Sequence, residues 1–247
     1  MPRTNKNLIR TFVNNDLQQD VMIDLERNKA NHLINVLRKK TGDELIIFNG
    51  IDGAWLARIE SASKKSANIL LLEQIAKQPK PSNIYYGFAP LKKARLDYMM
   101  QKATEMGAGI IQPVITQYTQ NPKINIDKIK ANVIEAAQQC EVLNLPEIKQ
   151  QINLKNLVEN WQEIHGERKL ILADESKQAG SPIKTLQDLK AQKIGLLIGP
   201  EGGFSDEELE LLHSKDFIVP ISLGERILRA DTAAVAALAL IQAVINL

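Results

Sequence analysis

Along residues 1–76, short runs rich in apolar residues are separated by turn signals. Such runs bounded by turns mark short strands. Leu8–Val13, Glu44–Phe48, Ala54–Ile59 and Asn68–Glu73 each read as a strand. Thr41-Gly42-Asp43, Asn49-Gly50 and Asp52-Gly53 supply the turns between them. Leu33, Val36 and Leu37 recur instead at helical spacing, which predicts one short helix over His32–Lys39. Short strands joined by tight turns predict a small β-barrel.

The rhythm breaks at Lys77-Gln78-Pro79-Lys80-Pro81-Ser82, where two prolines among polar residues make an extended connector. Strands and helices alternate beyond it. Ile84–Phe88, Ile110–Val114, Leu170–Ala173, Ile194–Ile198 and Phe217–Ile221 are largely apolar runs, as strands covered on both faces must be. Leu96, Met99, Met100, Ala103 and Met106 mark a helix that Gly107 ends. A second helix is expected over Asp127–Cys140, and Ser205 with Glu208 forms a capping box that opens a third. A final helix runs over Ala233–Leu247. This alternation predicts an α/β domain with a mainly parallel sheet over 82–247, after the barrel over 1–76.

Composition narrows the function. With 247 residues, 44% hydrophobic and 24% charged, the chain can bury a proper core without staples. Cys140 is the only cysteine, and His32, His165 and His213 are scattered, so neither a disulfide nor a Cys/His metal site is expected. The opening residues lack an apolar leader, and Ala233–Leu247, interrupted by Gln242 and Asn246, is too short for a good membrane span. A cytoplasmic protein without membrane partners is expected. A net charge of +2 neither demands nor excludes nucleic acid.

Two segments carry candidate chemistry. In Leu196–Ser205 a buried strand ends, the turn Gly199-Pro200-Glu201-Gly202-Gly203 follows, and a capped helix begins. Ligands of open α/β sheets bind beyond the carboxyl ends of strands, where this turn falls. No Lys-Ser/Thr pair follows the glycines, there is no dinucleotide fingerprint, and Glu201 opposes phosphate. The turn therefore suits a neutral or cationic ligand, unless it is a plain strand-to-helix connection. The second segment, Ile221–Ala233, places Arg226 and Arg229 before the final helix, which Asp231 or Thr232 can cap. Those arginines are either ligands or solvated surface charges.

Taken together, the two segments resemble the SPOUT superfamily of methyltransferases. Within it, the chain is most similar to the ribosomal RNA small subunit methyltransferase E family, which methylates N3 of a uridine in bacterial small-subunit (16S) ribosomal RNA. Arg10, His32-Leu33, Val36-Leu37-Arg38, Gly42-Asp43, Lys93, Gln101–Gly107 and Glu135–Cys140 extend the likeness over most of the chain. The resemblance implies a deep trefoil knot near the C-terminus, which general topology rules would reject. It also implies a PUA-like N-terminal barrel, S-adenosylmethionine as cofactor, ribosomal RNA or the small ribosomal subunit as partner, and a homodimer. The final helix, apolar nearly all round, needs burial on more than one side, in a dimer or within its own subunit.

By the same resemblance, the cofactor pocket comprises Leu172, Ala173, Gly199, Pro200, Glu201, Gly202, Ile218, Leu223, Gly224, Ile227, Leu228, Arg229 and Thr232. Glu201 is expected to favour the positive sulfonium. Uridine N3 holds a proton and is a poor nucleophile until it leaves, so catalysis needs a base or a stabiliser of the uracil anion. No histidine offers itself as the base. Arg10 and Arg229 are the candidates for stabilising the anion, or else they hold phosphates. Arg10, Arg38, Lys39, Lys40, Lys92, Lys93 and Arg95 are candidate RNA contacts.

The chain departs from the family pattern in places. Gln117-Tyr118-Thr119 stands where Glu-Arg-Ser is frequent, offering a ring that can stack on a base. Glu141-Val142 replaces a frequent Gly-Arg, and Asp231 replaces a usual glutamate. These changes bear on the nucleotide more than on the cofactor. The rival readings are a SPOUT enzyme with another RNA target, a non-catalytic RNA-binding protein of the same fold, and a nucleotide-binding α/β enzyme.

Overall fold

The computed structural model describes residues 8–63, 65–120, 122–173, 182–189 and 193–245. Residues 1–7, read above for a leader, and 246–247, at the end of the expected final helix, lie outside them. The chain forms two compact units: Met1–Lys80 with Ala137–Leu145, and Pro81–Ala136 with Pro146–Leu247. The first unit thus takes in Ala137–Leu145, which the sequence pattern leaves in the second domain.

The first unit is built on a five-stranded sheet of β1 (Arg10–Phe12), β2 (Met22–Asp24), β3 (Glu44–Phe48), β4 (Ala54–Ala62) and β5 (Ala67–Ala76), ordered β1-β3-β4-β5-β2. β1 runs parallel to β3, and the other pairs are antiparallel. Register shifts between β4 and β5 bend the sheet, as bulges do. One face packs Leu45, Ile47, Ala57, Ile59 and Ile69 against Leu25, Ala30 and Leu33. The expected helix begins earlier than its pattern suggests. It starts as α1 (Arg27–Asn31) and continues as a π-helical turn, His32–Val36, that buries Leu33 but leaves Val36 exposed.

The second unit holds a seven-stranded sheet in which every pairing is parallel. Its strands are β6 (Tyr85–Phe88), β7 (Ile110–Ile115), β8 (Glu147–Ile148), β9 (Ile152–Asn153), β10 (Lys169–Ala173), β11 (Ile194–Ile198) and β12 (Ile218–Ile221). The order is β12-β10-β11-β6-β7-β8, with β9 also on β7. One face is covered by α4 (Leu154–Glu159), α5 (Trp161–His165) and α7 (Asp206–His213), through Leu157, Val158, Trp161 and Leu212. α2 (Lys93–Glu105), α3 (Ile126–Gln139), α6 (Pro182–Asp188) and α8 (Ala230–Ile245) complete the helices. α8 packs on α2, α6 and β11. With both faces covered, β11 is buried at every position, which accounts for its unbroken apolar run.

Two expected helix ends hold. Gly107 adopts φ +75° just after the C-cap Met106, whose carbonyl accepts a bond from Gln242 Nε2 at 2.9 Å. Ser205 Oγ accepts from Glu208 N at 3.2 Å while Glu208 Oε2 accepts from Ser205 N at 3.0 Å, completing the capping box. The last helix differs. It starts at Ala230, so Asp231 and Thr232 sit inside its first turn instead of capping it, and Asp231 Oδ1 accepts from Thr232 N at 2.9 Å.

Candidate functional site

Because the strands of the second sheet are all parallel, their carboxyl ends share one edge, and a cavity of about 560 Å3 opens there. Leu172 and Ala173 at the end of β10 form one wall. Ile198 through Phe204, after β11, form the second, with Leu209 of α7. Leu223 through Arg229, after β12, and Ala230 and Ala233 of α8 form the third. The glycine-rich turn and the arginine-bearing turn therefore enclose one space. Its size falls within the ~300–1,000 Å3 of small-molecule pockets.

The sequence shapes this wall directly. Gly203 N donates to Pro200 O at 2.9 Å and closes a tight turn, and Gly203 takes φ +74°, a region open to glycine. A Cβ on Gly199 would stand 2.7 Å from Cε2 of Phe204, so the ring occupies space that only glycine leaves. Phe204 and Leu209 hold the N′ and N4 positions about the cap Ser205, the pair that forms a hydrophobic staple, and both line the cavity. That spacing was available in the sequence and marks two wall residues the sequence reading missed. Ile198, Glu225, Ala230 and Ala233 are further wall residues it did not single out, while Gly203 and Arg226, named there in the two turns, also line the cavity.

Three side chains form an ion-pair cluster at the rim. The guanidinium of Arg95, in the first turn of α2, pairs with the carboxylate of Glu201, and its Nε lies 3.9 Å from Asp231 Oδ2. Burial, aided by the negative charge of Asp231, holds the Tyr86 phenol well above its usual range. On the opposite face of β6, burial likewise raises Tyr85, whose hydroxyl donates to Gln112 Oε1 at 3.0 Å.

The structure sorts the residues named from sequence. Leu172, Ala173, Gly199, Pro200, Glu201, Gly202, Leu223, Gly224, Ile227, Leu228 and Arg229 all line the cavity. Ile218 does not: it opens β12, pairs with Leu170 and packs in the core, several residues short of the strand end. Thr232 is exposed on α8 and is not part of the wall. Arg10 belongs to the first unit, where its Nη2 lies 2.8 Å from Glu141 Oε2. Arg38 is exposed, Lys39 is half-buried, and Lys93 begins α2. Arg95, expected among the RNA contacts, is engaged instead with Glu201 and Asp231 at the cavity. No long-range ion pair of this kind is visible in local spacing. Among the described residues, no group of three or more His, Cys, Asp or Glu side chains is placed to hold a metal, and no helix is long and apolar enough to cross a membrane.

A parallel sheet with a ligand-sized cavity at its carboxyl edge, preceded by a small β-unit, is the architecture of an RNA methyltransferase with an attached PUA domain. The RNA methyltransferase domain matches residues 78–242, and the RNA methyltransferase PUA domain matches 25–72. The chain belongs to the ribosomal RNA small subunit methyltransferase E family. It is 34% identical to the member from Rickettsia conorii, over 93% of each chain. It is 33% identical to the member from Synechocystis sp., over 92% of this chain and 75% of that one. A Legionella pneumophila structure in complex with the bound cofactor SAM superposes with a TM-score of 0.83 at 31% identity, covering 96% of this chain and 98% of that one. The family member from Neisseria gonorrhoeae, bound to S-adenosyl methionine, gives 0.82 at 26% identity with the same coverage.

Proposed function

We propose that the chain transfers a methyl group from S-adenosylmethionine to N3 of a uridine in small-subunit (16S) ribosomal RNA, acting as a cytoplasmic homodimer. Methylation of ribosomal RNA with this cofactor follows from the family and from the cofactor-bound relatives. The carrying observation is that the glycine turn and the arginine turn line a single cavity.

The residues present fit the cofactor. Gly202 and Gly224 let backbone approach a ligand closely, and Leu172, Leu223, Ile227 and Leu228 offer apolar walls for an adenine ring. Two carboxylates, Glu201 and Glu225, stand on the wall with two arginines, Arg226 and Arg229, so a sulfonium placed beside Glu201 or Glu225 meets a negative charge there. When bound, the cofactor supplies an electrophilic methyl group on a positively charged sulfur. The chain's part is to hold N3 in line with that methyl and to stabilise the uracil anion. Arg229, on the cavity wall, is our first candidate for the anion. Arg10, with its charge engaged by Glu141, is the second.

RNA binding is assigned to Arg38, Lys39 and Lys40 in the first domain and to Lys92 and Lys93 in the second. α2 has no acid in its first turn and opens on lysines, a placement that opposes its own dipole and attracts phosphate. The domain limits 1–76 and 82–247 are supported by the separate family matches to 25–72 and 78–242. The knot is supported by the strand order β12-β10-β11 with α8 returning across β11. On α8, Val235, Ala236 and Leu240 are half-buried and Ala239 and Ala243 exposed, an apolar stripe that a second copy would cover.

The test is methyl transfer from tritiated S-adenosylmethionine to small ribosomal subunits lacking the modification, followed by nucleoside analysis. The expected product is N3-methyluridine at one position. Label on another base would replace the target, and no label would leave the non-catalytic RNA-binding reading.

A further inference from the structure

We propose that Tyr118 is the platform on which the target base stacks at the mouth of the cavity. This inference rests on the methyltransferase reading of that cavity. Tyr118 follows β7, so it emerges at the same carboxyl edge of the parallel sheet. A Cβ placed on Gly202, a wall residue, would lie 3.5 Å from Tyr118 Cβ and 3.9 Å from its Cγ. The aromatic side chain thus begins in van der Waals range of the cavity rim, yet it stays 46% exposed.

The loop that presents it is tied down. Thr119 Oγ1 accepts from Thr116 N at 2.9 Å, and Thr119 N donates to Thr116 O at 3.2 Å. Gln117 N donates to Glu208 Oε1 at 2.8 Å, while the other oxygen of that carboxylate completes the cap of α7. One glutamate therefore fixes both the loop bearing Tyr118 and the helix start that follows the glycine turn. A ring held in advance loses little entropy when a base stacks on it.

The exposed aromatics among the described residues are Tyr98 and Tyr118. One face of Tyr98 already carries Lys102 Nζ, 5.6 Å from its ring centre. Single-stranded RNA bases are recognised by stacking on such rings, and a stacked base leaves its N3 edge available to the cavity.

The experiment compares the wild-type chain with Tyr118→Ala and Tyr118→Phe. Calorimetry reads affinity for S-adenosylmethionine, and steady-state transfer to unmodified small ribosomal subunits reads kcat/KM. Removing a stacked ring should lower kcat/KM roughly 5- to 150-fold in Tyr118→Ala. Tyr118→Phe, which keeps the ring, should stay within about twofold of wild type. Cofactor affinity and thermal midpoint should be unchanged in both. Full activity in Tyr118→Ala overturns the proposal, as does failure of Tyr118→Phe to restore activity, or a loss that follows cofactor affinity. A wild-type chain that binds no S-adenosylmethionine sinks the cavity reading itself, an outcome distinct from all of these.

Discussion

Replacing Gly199 by alanine sets a methyl carbon 2.7 Å from Cε2 and 2.9 Å from Cζ of Phe204. Ordinary contact between carbons begins near ~3.5 Å, so the ring must retreat by roughly 0.8 Å. Phe204 is both a wall of the cavity and a neighbour of the core formed by Trp161, Leu212 and Phe217. Overpacking of this kind costs about 1–3 kcal/mol. If the ring yields toward the core, the cost appears as lost stability. If it yields into the cavity, cofactor affinity falls by roughly 5- to 150-fold. Urea denaturation and calorimetric titration with S-adenosylmethionine, run on the same preparation, should show the two losses summing to about 1–3 kcal/mol. Trimming the ring with Phe204→Leu in the Gly199→Ala background should return part of it. A Gly199→Ala chain that matches wild type in both stability and affinity would refute the packing argument.

Glu141 occupies the C′ position of α3 with φ +60°, and Val142 N donates to Ala137 O at 3.1 Å in a Schellman arrangement. Glu141→Gly should relieve about 1 kcal/mol of backbone strain and give up an Arg10 pair worth ~0–1 kcal/mol. Urea midpoints should therefore hold or rise, and a loss above ~1 kcal/mol would contradict this. His165, half-buried against Tyr85 and Trp161, has its pKa lowered from 6.5 to about 4 by burial first and then by the charges of Arg168 and Lys149. The unfolded chain binds that proton more readily, so the contribution of His165 is complete above pH 6.5 and is lost as pH falls toward 4. Allowing for solvent screening, ~1–2 kcal/mol should go in wild type but not in His165→Gln, as read by urea denaturation at pH 7 and pH 4.5. Finally, Glu201→Gln should lower the preference for S-adenosylmethionine over S-adenosylhomocysteine, which lacks the sulfonium charge, by roughly 2- to 5-fold, and Arg95→Ala should raise it or leave it unchanged. An unaltered ratio in Glu201→Gln removes the charge role of Glu201.

Local signals were legible wherever one residue type solves a local problem. Ser205 and Glu208 announced a helix start, Gly107 a helix end, and the glycine turn a ligand loop at a strand's carboxyl end. Asn153 with Leu154, Leu157, Val158 and Trp161 carried the cap and spacing of α4 and α5, a signal present in the chain but passed over. Other features depend on contacts across long sequence separations. Arg95 finds Glu201 only once α2 and the glycine turn reach the same edge of the sheet. Ile218 has the composition of a pocket residue, but the register of β12 on β10 sets it opposite Leu170, inside the core. Ala137–Leu145, the end of α3 and the turn at Glu141, belong to the first unit, although α3 begins in the second.

Hydrogen exchange with and without S-adenosylmethionine tests most directly whether both loops grip one cofactor. The account predicts that amides of 199–204 and 223–229 slow together on adding the cofactor, while the first unit is unaffected. Protection of one loop without the other, or of neither at saturating cofactor, would contradict it.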